Sequence, residues 1–174
     1  MNKARKTLGG VFVFGLIAVV ASVVAIWWFS PSQQQKRRDS RLIEAVRAGD
    51  LRAAEAALNA GADVNARDTD GITPLMHAAR GERPLIADPA PTDHPEVVEL
   101  LLKRGADVNA RTGSGFVALF WAARYGHVRV AKVLIDHGAD VNAKDQGDLT
   151  ALRWATTNRQ TNVVELLKGA GARE

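Results

Sequence analysis

The sequence predicts an all-α repeat solenoid of about four copies, each a helix-turn-helix unit followed by a β-hairpin, behind one N-terminal transmembrane helix. Three observations carry this. The string GADVNA returns at residues 61–66, 105–110 and 138–143. Residues 8–29 contain no charged side chain. Aromatic residues make up only 6% of a 174-residue chain in which alanine is abundant, which fits helices in close contact better than a β-sandwich core. With no cysteine, disulfides and thiolate metal sites are excluded.

Residues 1–7 form a short basic tail carrying Lys3, Arg5 and Lys6. The run LGGVFVFGLIAVVASVVAIWWF at 8–29 follows, and as a helix its 22 residues reach about 33 Å, enough for a bilayer core. Trp27, Trp28 and Phe29 close it, where amphipathic rings favour the headgroup level. A cleaved signal peptide is the competing reading, with small residues at Val23 and Ala25, but the apolar run continues beyond the usual signal core. Residues 30–38 read as a linker, in which SPSQQQ is a polar, Pro-containing spacer.

Orientation rests on charge. The basic tail resists translocation, which puts it in the cytoplasm and the repeats on the extracytoplasmic side, the periplasm in a bacterium. Lys36, Arg37, Arg38 and Arg41 on the other flank oppose this by count alone. The net charge of +4 also belongs here. Six of the 23 basic residues precede Asp39, with no acidic residue among them, and from Asp39 onward 17 basic residues face 19 acidic ones. The basic excess is a topology signal, not a phosphate-binding stripe, and a nucleic-acid partner is excluded.

Residues 39–174 divide into copies at about 39–67, 68–111, 112–144 and 145–174. Gly61, Gly105, Gly138 and Gly171 mark the register, at spacings of 44, 33 and 33. The long spacing holds an 11-residue insertion, visible as GERPLIADPAPT at 81–92. In each copy a first helix is predicted from segments such as ITPLMHAAR at Ile72 and FVALFWAAR at Phe116, and a second from PEVVELLLKRG at Pro95 and VRVAKVLIDHG at Val128. Val97, Val98, Leu100 and Leu101 recur at helical spacing and supply an apolar face, as do Val130, Val133 and Leu134. Thr73 and Pro74 suit a helix start, and the register glycines suit a helix end that needs positive φ. Val117-Ala118 and Thr150-Ala151 replace Thr-Pro in the later copies, which weakens those starts and lowers stability toward the carboxyl end. A single copy cannot bury its apolar face, so stacking supplies the core.

The 33-residue period, with Thr73-Pro74-Leu75, Ala78-Ala79, Tyr125-Gly126-His127 and the repeated GADVNA, resembles the ankyrin-repeat family, in the bacterial type that carries an N-terminal membrane anchor. The resemblance covers about residues 40–174. It implies a binding module for another protein, with contacts through hairpin tips and the groove-facing ends of the first helices. Carried over to this chain, that face comprises Thr69, Asp70, Ile72 and Arg80 in the second copy. The third copy contributes Arg111, Ser114, Phe116, Arg124 and Tyr125, and the fourth Lys144, Gln146, Asp148 and Thr157. Phe116 and Tyr125 read as exposed aromatic anchors. Trp121 and Trp154, one period apart, read as packing residues. The insertion reads either as a tolerated surface loop or, through Leu85 and Ile86, as a further binding loop. The alternative function is an accessory or chaperone-like protein that stabilises a periplasmic or membrane enzyme.

Nothing in the chain points to catalysis. His77, His94, His127 and His137 each have a place in the repeat, and no pair has the i, i+4 spacing of a helical metal site. Asp63, Asp107 and Asp140 are copies of one structural residue. No phosphate loop or nucleophile elbow occurs. The expectation is a non-enzyme with no cofactor, no metal and no small-molecule substrate.

Overall fold

The computed structural model describes residues 30–81 and 93–173. The predicted anchor at 8–29 and the insertion residues Leu85 and Ile86 lie outside them. No helix among the described residues is long and apolar enough to cross a membrane. The chain divides into two units, residues 1–37 and 38–174. The second unit holds the repeats.

The described helices run α1 (Pro31–Arg47), α2 (Leu51–Asn59), α3 (Pro74–Arg80), α4 (Pro95–Lys103), α5 (Ala118–Tyr125), α6 (Val128–Asp136), α7 (Ala151–Thr157) and α8 (Thr161–Gly169). They alternate between an inner and an outer row. Among the inner helices α3 packs on α5 and α5 on α7, while the outer helices α2, α4, α6 and α8 pack in succession. The inner row is built on small residues: Ala78 and Ala79 of α3, Ala122 and Ala123 of α5, and Ala155 of α7 are all buried. Without bulk at those positions the helix backbones approach closely. Large apolar side chains come from both rows, Leu75, Met76, Leu119, Phe120 and Leu152 from the inner helices and a periodic leucine from the outer ones. Leu101, Leu134 and Leu167 are fully buried at equivalent positions, each burial contributing about 1.5–3 kcal/mol.

Helix ends follow local chemistry. Thr73 caps α3, its side chain accepting from Met76 N–H at 3.4 Å, with Pro74 in the first turn. Val117 gives α5 no side-chain cap, as the sequence implies. The fourth copy departs from the expectation, because Thr150 accepts from Arg153 N–H at 3.3 Å and caps α7 without a following proline. The register glycines Gly61, Gly105, Gly138 and Gly171 take φ of 87°, 88°, 86° and 85°, a left-handed turn that a side chain would strain. In the last copy two such positions lack glycine. Asp148, equivalent to Gly71 and Gly115, has φ 59°, and Arg159, equivalent to Gly126, has φ 58°. Strain there adds a reason for lower stability toward the carboxyl end.

Two expectations are corrected. The spacer SPSQQQ is helical from Pro31, in one helix with the first inner segment. Ser30 accepts from Gln33 N–H at 3.3 Å and Pro31 follows, so Ser-Pro here is a cap and first helical residue, not a bend in a linker. The loops predicted as β-hairpins contain no strand among the described residues. Each is closed across its base by a backbone bond spanning four residues, Asp68 N–H to Ile72 O, Thr112 N–H to Phe116 O and Asp145 N–H to Leu149 O, at 3.1, 2.9 and 3.1 Å, with a tighter turn bond inside it. The span is too short for a ladder, and the side chain at the loop base takes up the remaining donors.

Candidate interaction face

The loop bases explain the face. Asp68 Oδ1 accepts from Asp70 N–H and Ile72 N–H, both at 2.9 Å, and Oδ2 accepts from His77 Nε2 at 2.8 Å. Asp145 repeats this in the fourth copy: Oδ1 accepts from Gly147 and Leu149 N–H at 2.8 and 3.0 Å, and Oδ2 from Trp154 Nε1 at 3.1 Å. One carboxylate thus shapes the loop and pins it to the ring on the inner helix. In the third copy the equivalent residue is Thr112, whose Oγ1 accepts from Phe116 N–H at 3.0 Å. A threonine hydroxyl does not also reach the ring, and the buried Trp121 Nε1 has no partner among the described residues.

Charge on these groups follows from burial. Burial lowers the His77 pKa below its ordinary 6.5, outweighing the pull of Asp68 upward, while Arg47 and Arg80 push it further down. Burial of Asp68 acts to raise its carboxyl, but hydrogen bonds from Ile72, His77 and Asp70 outweigh this and hold it below 3.8. Near neutral pH the pair is therefore a neutral imidazole donating to a carboxylate. His127, on the outer row, is also lowered by burial, and its Nε2 donates to Arg80 O at 3.1 Å.

The rings of the third copy gather together and meet one ring of the fourth. Phe116 lies 5.2 Å from Trp121, 5.2 Å from Trp154 and 5.7 Å from Phe120, centroid to centroid. Tyr125 stacks on Trp121 at 6.2 Å with the planes 5° apart. The Arg80 guanidinium lies over Trp121 at 5.2 Å. Arg124 lies 5.2 Å over Trp154 and 5.9 Å over Tyr125. Beside this cluster Asp70, Ile72, Thr112, Ser114, Phe116 and Trp121 line a groove of about 340 Å³ between the second and third loops.

The expected face is thus only partly one surface. Asp70, Ile72, Ser114 and Phe116 share the groove, and Arg80, Arg124 and Tyr125 adjoin it through the rings. Thr69 is exposed at the second loop and Thr157 at the end of α7. Arg111 and Gln146 are occupied between copies: Arg111 Nη1 donates to Lys144 O at 2.9 Å, and Gln146 Nε2 to Gly113 O at 2.7 Å. Lys144 and Asp148 face each other at 3.9 Å. Phe116 and Tyr125 are half-buried rather than exposed, because neighbouring rings cover them. Trp121 and Trp154 pack against the core as expected, yet they also join the ring cluster of this surface, whose aromatic anchors the sequence suggests to be Phe116 and Tyr125 alone.

A second set of side chains joins the copies. Asn65 accepts from Asp107 N–H at 2.8 Å and donates to Gly105 O at 3.1 Å. Asn109 does the same with Asp140 and Gly138, and Asn142 with Arg173 and Gly171. Asp63, Asp107 and Asp140 each accept from the asparagine N–H two residues on, so they hold the turn that aims the amide. The sequence shows these asparagines as members of the repeated GADVNA string, but not their reach into the next copy. Among the described residues no group of three His, Asp or Glu is placed to hold a metal ion.

The family model for ankyrin repeats, in three copies, matches residues 42–145 and 86–173 in overlapping stretches. No curated protein matches the chain.

Proposed function

The chain belongs to the ankyrin-repeat family, and we propose that it is a membrane-tethered module that binds another protein through the groove and ring cluster on its inner face. The family is typically a non-catalytic interaction module. One observation carries the assignment of the face: Phe116, Trp121, Trp154 and Tyr125 meet at its surface with Arg80 and Arg124 against their rings. Half-buried aromatics and arginines are the residue types that dominate binding energy at protein interfaces. The tether is supported by the uncharged run at 8–29 and its basic flanks. The charged tail supports an extracytoplasmic repeat domain.

The test uses the full chain in its native membrane with proximity labelling. Ile72→Ala combined with Tyr125→Ala removes groove wall and ring surface without touching the carboxylate that shapes either loop. This variant is expected to lose the labelled partner, whereas Arg129→Ala on the outer row keeps it. Identical labelling by both variants would sink the assignment of the face. A reporter fused after Glu174 that works only in the cytoplasm would overturn the orientation.

A further inference from the structure

Arg47, Arg80 and Arg124 occupy the same position in successive copies, at the ends of α1, α3 and α5. Each stands in a fixed relation to a ring in the following copy. Arg47 and His77 are 30 positions apart, as are Arg124 and Trp154; Arg80 and Trp121 are 41 apart, which is 30 with the 11-residue insertion included. Two of the three make the ring contact, Arg80 over Trp121 and Arg124 over Trp154, both at 5.2 Å, and Arg47 is near enough to His77 to help lower its pKa.

A cation at a helix C-terminus is favourable by itself, and the helix dipole accounts for arginine at these ends. It does not account for what surrounds them. On the outer row Arg104 meets Glu55 at 3.3 Å, Arg129 meets Glu96 at 2.8 Å and Lys132 meets Asp136 at 3.0 Å. Among the described residues no ion pair joins Arg47, Arg80 or Arg124 to a carboxylate. The nearby carboxylates Asp68 and Asp145 are committed to His77 and Trp154. A guanidinium held against a ring is ordered in advance, and its N–H edge remains available for a bidentate carboxylate.

We propose that this arginine ladder receives an extended acidic segment of the partner protein, with Asp or Glu at about every third residue. The spacing follows from the fold. Packed helices lie roughly 8–10 Å apart, and a chain extended in the polyproline-II form advances about 3.1 Å per residue with three residues per turn, so every third side chain returns to the same face after about 9 Å and meets the next arginine. Asp70 at the groove rim repels such a chain and keeps its carboxylates on the arginine side. The proposal rests on the protein-binding reading above and adds the chemistry of the partner.

The test uses the full chain in detergent micelles and fluorescence anisotropy of labelled twelve-residue peptides. One peptide carries Glu at every third position, and its twin carries Gln there. The Glu peptide is expected to bind at least about tenfold more tightly, with affinity falling as salt rises. Arg80→Ala with Arg124→Ala is expected to remove that preference, and Arg80→Lys with Arg124→Lys to restore part of it, which excludes misfolding as the cause. A Glu peptide that binds no better than its twin overturns the proposal. So does arginine-dependent binding of a single-stranded oligonucleotide or of anionic vesicles that exceeds peptide binding. Native partner labelling that survives the Ala pair but is lost in the Ile72 and Tyr125 variant overturns the acidic segment alone and leaves the binding face standing.

Discussion

Trp154 donates its indole N–H to the Asp145 carboxylate at 3.1 Å, nine residues back along the chain. His77 and Asp68 make the same contact at the same separation at 2.8 Å. Trp121 and Thr112 stand in the equivalent places in the third copy, and there the bond is missing.

Thr112→Asp should therefore stabilise the protein. An aspartate there would keep the bond from Phe116 N–H, as Asp68 keeps Ile72 and Asp145 keeps Leu149. Its second oxygen would meet the buried indole donor. The expected gain is about 1 kcal/mol in urea unfolding, and Asp145→Ala should lose about 1–3 kcal/mol by orphaning Trp154. A destabilised Thr112→Asp would show that Trp121 is not waiting for an acceptor.

Acid should weaken the fold in two stages. The folded pKa values of His77 and His127 lie below 6.5, so folding favours their neutral forms. Their contribution is complete above pH 6.5 and is lost as pH falls from there toward the folded values. Asp68, held below 3.8, contributes fully above that value and loses its contribution as pH falls through its folded pKa. Urea midpoints measured from pH 7.5 to 5.5 should fall, and His77→Gln should flatten the slope. A midpoint that stays level across that range contradicts the assignment.

Gly126 and Arg159 share one position in adjacent copies, with φ of 79° and 58°. Gly126→Ala should destabilise by about 1–2 kcal/mol, because a side chain is strained in the left-handed region. The new Cβ would also press on the Gln160 side-chain amide. Arg159→Gly should do the reverse and gain about 0.5–1 kcal/mol. Chemical unfolding of the two variants checks the pair, and equal signs would contradict the account.

How much the chain itself reveals depends on the range of the interaction. The copies, their register and the left-handed glycines are local or periodic, so GADVNA and the apolar spacing of the outer helices display them directly. Thr73 and the register glycines could be read because a cap or a turn involves a few neighbouring residues. Ser30-Pro31 was open to two readings, since the same pair starts a helix or bends a linker.

The interaction face was less visible for the same reason. Phe116 and Tyr125 look like free anchors in sequence, but Trp121 covers both from within the same copy, and Trp154 reaches Phe116 only when α5 and α7 stack. Arg111 looks available until its guanidinium is seen on the Lys144 carbonyl of the next copy. By itself the sequence determined the family, the repeat register and the uncharged N-terminal run, all properties of local chemistry and period. The tertiary structure alone decided which side chains are occupied between copies and which arginines lie without a carboxylate, because those contacts join residues from 29 positions apart, as Asn109 and Gly138, to 49, as Arg104 and Glu55, that only stacking brings together.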